Sequence, residues 1–220
     1  ILKSLRVVIL TDLNKRKKRA PMSLFNGRVI DLTHLVDSGA PTWNGTIGYR
    51  VATLLDYADC SAESGPFCVQ SMKMYAGVGT HIDMPAHCIP GGLMVDELEL
   101  AQMVVGCSVV DVSEQAHEAY VVSPVDIAVY EQQYGRIPQG NFVIIHTGWG
   151  RYWPSSDLYR NDFKFPTISV DTAKMLVDRK IVGVGIDTLS PDGANGGFPV
   201  HRMLLGAGIY IVENVANAER

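Results

Sequence analysis

Between residues 107 and 214 the chain alternates short apolar runs with amphipathic stretches that mark their own ends, and that rhythm leaves few folds open. The runs "CSVVDV" (107–112), "FVIIHT" (142–147), "IVGVGID" (181–187) and "GIYIVEN" (208–214) read as buried strands. Between the first two, "SPVDIAVYEQQYG" (123–135) offers Ser123 as N-cap, Pro124 at the first helical position, Asp126 to complete a capping pattern and Gly135 as a stop. Between the next two, "SVDTAKMLVDRK" (169–180) starts at Ser169 and sets Ala173, Leu176 and Val177 on one face. Strand and helix in alternation imply an α/β fold with a mostly parallel sheet, because a helical crossover returns the next strand in the same direction. Ahead of this half, "RVIDLT" (28–33), "YRVATLL" (49–55) and "CVQSMKMY" (68–75) are β-compatible runs separated by Gly, Pro and Ser clusters. An N-terminal β layer is therefore expected.

Of the 220 residues 47% are apolar and 19% charged, the balance of a soluble globular protein. No run approaches the roughly 18 apolar residues of a membrane-spanning helix, so no membrane partner is expected and a cytoplasmic location is the default. The net charge of −4 is unevenly spread. Residues 1–21 hold seven basic residues against Asp12 alone, five of them in the run Lys15 to Arg19. Residues 22–220 hold 12 Lys/Arg against 22 Asp/Glu, a charge of −10 that should repel nucleic acid. We read 1–21 as a basic extension and 22–220 as a single domain. The four cysteines, Cys60, Cys68, Cys88 and Cys107, include no CxxC pair and read as reduced thiols, with a Cys60–Cys68 bridge as the one alternative.

The stretch "AGVGTHIDMPAHC" (76–88) raises the question of chemistry. In an extended chain residues two apart share a face, so His81 and Asp83 would project together, with Met84-Pro85 favouring that form and His87 able to return over the same pocket. Imidazole and carboxylate suit Zn²⁺ or Mn²⁺, but a catalytic site needs about three protein ligands. Distant donors are available in His201, within "GGFPVHRMLLG", and Glu213, at the end of the apolar run "GIYIVEN"; Asp187, closing "VGVGID", is a third polar group at a strand end. Burying a carboxylate there is costly unless it is paired or metal-bound. The alternative is a tight polar turn, and the distant donors favour a site. His34, His117 and His146 are read as ordinary polar residues, His34 with a minor claim to line the pocket. Trp43, Phe67, Tyr75, Trp149 and Phe198 are candidates to line a pocket for a small, flat substrate, and the glycine-rich "SPDGANGG" (190–197) reads as a loop over the site that brings in His201.

The run "GTHIDMPAH" resembles the signature H-x-G-T-H-x-D-x-P-x-H of the cyclase-like metal-dependent hydrolases, the family of bacterial kynurenine formamidase and isatin hydrolase. "VIDLTHLVDSGAPTWNG", "VIIHTGWGRYW", "FPTISVDTAKMLVDRKIVGVGIDTLSPD" and "HRMLLGAGIYIVENVAN" are similar to successive family segments, so the resemblance covers nearly all of 28–217. It implies a swivelling β/β/α fold, a homodimer or homotetramer, and a divalent ion, zinc or manganese, used to open amide, lactam or lactone bonds. Carried over, His81 and Asp83 would be metal ligands, His87 the general acid and base, and His201 and Glu213 would serve a second metal position or orient the attacking water. The motif's first histidine falls on Gly77, which has no donor. One ion is therefore expected rather than two, with Tyr75 or Gln70 as substitute ligands, or a ligand-binding protein without turnover, as alternatives. A cysteine hydrolase built on Cys88 beside His87 is the remaining rival.

Overall fold

The computed structural model describes residues 28–220 and the backbone of residues 8–11; the basic run 15–19 and the domain start expected at Met22 lie outside the described residues. In chain order the elements are β1 (Val8–Thr11), β2 (Arg28–Asp31), β3 (Tyr49–Leu55), β4 (Val69–Met74), β5 (His81–Asp83), β6 (Cys107–Asp111), β7 (Val121–Val122), α1 (Pro124–Tyr134), β8 (Phe142–His146), α2 (Ser156–Arg160), β9 (Thr167–Ile168), α3 (Val170–Asp178), β10 (Gly183–Ile186), α4 (Pro199–Gly206) and β11 (Tyr210–Glu213). Five strands form the central sheet in the order β5-β11-β10-β8-β6. β6, β8, β10 and β11 run parallel, and β5 closes one edge antiparallel to β11.

The helices form where their ends are chemically satisfied. Asp126 reaches back to the backbone N–H of Ser123 (2.7 Å) ahead of α1, which ends at Gly135 with φ 88°. The Ser169 hydroxyl accepts the Thr172 N–H at 3.1 Å ahead of α3. Alternation along each strand then splits the core in two. Val143, Ile145, Val184 and Ile186 face α1, α3 and α4 through Ile127, Leu176 and Leu204, whereas Phe142, Ile144 and Val212 face Ile30 and Leu32. Each such fully buried aliphatic side chain stabilises the fold by about 1.5–3 kcal/mol. In register with both Phe142 and Tyr210 lies Gly183, where any side chain would collide with their rings, which stack 5.6 Å apart over it.

The N-terminal part departs from a continuous β layer: β1 pairs with β2, and β3 with β4, in two separate antiparallel ribbons. No residue of the β3–β4 ribbon is buried, and Val51, Leu54, Val69, Met72 and Met74 are exposed on it. Among the described residues no helix is long and apolar enough to cross a membrane.

Candidate metal centre

The pairing of β5 with β11 sets Glu213 opposite His81 and Ile211 opposite Asp83. The shared face of His81 and Asp83 thereby meets the carboxylate that ends β11, at the carboxyl end of the parallel strands where open α/β sheets bind ligands. His81 Nε2 lies 3.6 Å from Asp83 Oδ1 and 3.5 Å from Glu213 Oε2. From α4, His201 places Nε2 at 3.2 Å from Glu213 Oε1 and 3.7 Å from Asp83 Oδ2. His87, ending the 3₁₀ turn Pro85–His87, puts Nδ1 3.8 Å from Asp83 Oδ1 and is the open member, its side chain 56% exposed. Two sets of three donors result, His81 with Asp83 and Glu213, and Asp83 with His87 and His201, each with all its ligand atoms within 4.8 Å of one another.

Two imidazoles are oriented by their other nitrogen. His81 Nδ1 is 2.9 Å from the Gly79 carbonyl oxygen, which also accepts the Asn214 side-chain amide at 2.9 Å. Gly79 sits at φ 74°, in the left-handed region that a side chain resists. His201 Nδ1 is 2.8 Å from Asp192 Oδ2. The same carboxylate accepts the backbone N–H groups of Val200 (3.0 Å) and His201 (2.9 Å). It therefore caps α4, whose own N-cap, Phe198, has no acceptor. With Nδ1–H donated to these oxygens, both rings turn Nε2 toward the carboxylates, the orientation in which a bound cation could displace the Nε2 proton and take the imidazole as ligand.

The charges agree. Burial would lower the His201 pKa, but its hydrogen bonds to Asp192, Asp83 and Glu213 override this and hold it at about 11. Burial would likewise raise the Asp83 carboxyl, yet the His201 hydrogen bond and the charges of His81, His87 and His201 leave it below its ordinary value. Two carboxylates at the centre and a third behind His201 thus favour positive charge here. Beside the cluster, Cys88 has its thiol pushed up by burial, against the opposing charges of His201 and Arg202.

The cluster floors a cavity of about 530 Å³ whose wall includes Trp43, Phe198, Leu189 and Cys88. Trp43 and Phe198 pack with ring centroids 5.5 Å apart, and Phe198 stands edge-on to His201 at 5.9 Å. Of the other aromatic candidates, Trp149 is buried in a cluster with Tyr159, Phe165 and Leu189 and donates its indole N–H to the Tyr159 carbonyl at 2.9 Å, so it supports the wall from behind. Phe67 and Tyr75 are exposed beside the β3–β4 ribbon and do not line the cavity, and Gln70 is exposed on β4. Position 77 does face the cluster: a Cβ on Gly77 would lie 3.2 Å from His81 Nε2.

The remaining polar candidates lie elsewhere. Asp187 is consumed by Thr147, which donates from both N–H and hydroxyl (2.9 and 2.6 Å), and by the Trp149 N–H at 3.2 Å. His34 stacks on Trp153 at 4.0 Å, and burial pushes its pKa down to about 4 against the opposing charge of Asp187. With His146 it lines a separate cavity of about 610 Å³. His117 packs edge-on to Tyr120 in an exposed loop, and the four cysteines are unbridged. Asp192 is the member that residue-by-residue reading of the sequence passes over. The loop that contains it is buried at its start, through Ser190, Pro191 and Asp192, rather than wholly exposed.

The model of the Cyclase family matches residues 30–193. The chain belongs to this family. Within it, an isatin hydrolase of Roseibium aggregatum is 25% identical over 172 residues, a match covering 71% of this chain and 65% of that protein's length. A kynurenine formamidase of Paracidovorax citrulli is 24% identical over 189 residues, covering 84% and 80% of the two chains. Among solved structures, isatin hydrolase A from Labrenzia aggregata is similar with a TM-score of 0.76 at 27% identity, over 87% of this chain and 82% of that one. A protein described as a predicted metal-dependent hydrolase from Bacillus stearothermophilus gives 0.67 at 27% identity, over 86% and 82%. Family and fold thus agree with the resemblance carried by "GTHIDMPAH".

Proposed function

We propose that this chain, as one domain over 22–220, is a metal-dependent hydrolase that opens an amide, lactam or lactone bond in a small, planar substrate. The observation that carries the reading is the pair of imidazoles, His81 and His201, whose Nδ1 atoms are held by Gly79 and Asp192 while both Nε2 atoms face Asp83 and Glu213. Nitrogen and carboxylate oxygen donors in this mixture suit zinc or manganese better than calcium or magnesium. His81, Asp83, Glu213 and His201 would hold one ion, with Asp83 common to both donor sets. Such an ion supplies Lewis acidity: it lowers the pKa of water toward about 7 and polarises a carbonyl.

The protein's own groups do the rest. His87, exposed at the rim and 3.8 Å from Asp83, takes a proton from the attacking water and returns it to the leaving nitrogen or oxygen, a role worth about 10² to 10⁴ in rate. His201, fixed by Asp192, would orient that water from the buried side if its Nε2 is not itself a ligand of the ion. Trp43 and Phe198 give a ring an apolar surface on which to lie and keep bulk water from it. Similarity to proteins named isatin hydrolase and kynurenine formamidase supports a cyclic or aryl amide as the bond opened.

Metal analysis of the purified protein, beside hydrolysis of N-formylkynurenine, isatin and simple lactones with and without chelator, tests this. We expect about one equivalent of zinc or manganese, with turnover abolished by chelator and restored by the ion. N-formylkynurenine as the sole good substrate would identify a kynurenine formamidase proper. Loss of activity on thiol alkylation, with indifference to chelator, would instead favour Cys88 as nucleophile. The bare position at Gly77 favours a second reading, a ligand-binding protein that holds little metal and turns over nothing; absence of both metal and turnover would establish it.

We infer further that copies of the chain associate as dimers or tetramers. The β3–β4 ribbon supports this, because an isolated two-stranded ribbon is marginal in water and this one exposes Val51, Leu54, Val69, Met72 and Met74. Light scattering should give at least twice the chain mass, falling to one chain in the double variant Val51→Glu, Met72→Glu, whose positions pair across the ribbon. A monomeric parent protein would refute the association.

A further inference from the structure

We propose that Arg202 is the anion-recognition group of the metal-site cavity, so that the preferred substrate carries a carboxylate beside the planar ring. This rests on the hydrolase reading above and names its substrate class more narrowly.

Arg202 follows His201 on α4, is exposed, and is the one lysine or arginine among the residues lining the cavity. Among the described residues no carboxylate pairs with it and no hydrogen bond leaves its guanidinium. Two other arginines of this half, Arg160 and Arg179, are committed. Arg179 is held by both carboxylate oxygens of Glu131 at 2.8 Å, and Arg160 donates to the Trp43 carbonyl at 2.9 Å while lying over the Phe163 ring. The two carboxylates that could compete for Arg202, Asp83 and Glu213, are already engaged by His81 and His201.

Gly197, at φ 74°, lines the cavity beside the guanidinium: a Cβ there would sit 3.8 Å from Arg202 Nη2, an ordinary contact. The cavity wall combines a buried, cation-seeking cluster, the aromatic surfaces of Trp43 and Phe198, and the exposed planar donor of Arg202. A substrate with its scissile carbonyl at the floor and its ring on the aromatic wall would present a carboxylate to the fork, which offers two parallel N–H donors to such a group. Neutral substrates would leave that charge to solvent.

The test uses the metal-loaded full chain and a matched pair with the same scissile bond, formanilide and 2-formamidobenzoate. We expect wild type to prefer the carboxylate, and the ratio of kcat/KM for the charged over the neutral member to fall about tenfold or more in Arg202→Gln, mainly through KM. Arg202→Lys, which keeps the charge but loses the fork, should retain an intermediate ratio, and Arg202→Glu should invert it. An unchanged ratio in Arg202→Gln overturns the proposal. A second measurement does not depend on turnover: calorimetric binding of benzoate and benzamide to metal-free protein. Preference for benzoate should shrink about tenfold in Arg202→Gln, and equal preference in the two proteins again overturns the proposal. If wild type hydrolyses neither formamide yet its benzoate preference depends on Arg202, the hydrolase reading fails and the anion site stands.

Discussion

Asp83→Asn is expected to strip the protein of its metal and to lower turnover by about a thousandfold or more. Asp83 alone belongs to both donor sets, so its loss takes an anionic ligand from each of them and leaves the four-residue set one charged donor short. The charge stabilisation an ion lends to a developing oxyanion is several kcal/mol, and each 1.36 kcal/mol is tenfold in rate. Asparagine has nearly the same volume, so no cavity opens, and circular dichroism should show the fold intact. Metal content by emission spectroscopy and kcat on the best amide of the panel are the readouts. A variant that keeps a full equivalent of metal and wild-type turnover would place the ion, and the chemistry, somewhere other than this cluster.

Gly77→His should act in the opposite direction, raising metal affinity by about 10- to 100-fold, the range that a single lost supporting partner costs. Position 77 has a backbone conformation open to ordinary residues, and its Cβ direction leads to the edge of His81 that faces the carboxylates, at 3.2 Å from Nε2, 3.6 Å from Cε1 and 3.7 Å from Cδ2. His81 must give by a few tenths of an ångström, which its single Gly79 contact on the Nδ1 side permits. Gly77→Ala is the control. It adds the crowding without the donor, so it should weaken binding slightly while the histidine strengthens it. Competition with a fluorescent zinc chelator measures both. Equal or weaker binding in Gly77→His would mean that the missing side chain is not what limits the site.

Much of the sheet was legible because its signals are local. β8 is apolar up to His146 and β10 is apolar throughout, and Ser123, Asp126, Gly135 and Ser169 mark their helices from within a few residues. The alternation of His81 and Asp83, and the carboxylate stranded at the end of β11, were likewise legible from spacing and burial cost. α4 was not. Its N-cap is Phe198, a residue with no capping oxygen, and the acceptor comes from Asp192 across the glycine-rich loop. The same remoteness hid the second task of Asp192, holding His201 Nδ1. Proline at the first position of α4 and the SPD sequence before the loop were the available hints, and neither reports a distance. Aromatic composition misled in a simpler way. Trp149, Phe67 and Tyr75 are as flat and apolar as Trp43 and Phe198, and only the packing separates a core ring, two exposed rings and two cavity walls.

The edge position of β5 also governs when the centre can come into being. His81 finds its partner Glu213 132 residues further along the chain, the difference between the two positions. At about 5–20 residues per second of synthesis, the nascent chain carries its histidine-rich segment for on the order of ten seconds before β11 exists. Closing so long a loop is also among the slower steps of folding. The cluster of His81, Asp83, His201 and Glu213 is therefore a late product of maturation, complete only when the final strand docks. On the proposed function, metal retention would report that a given molecule has finished folding.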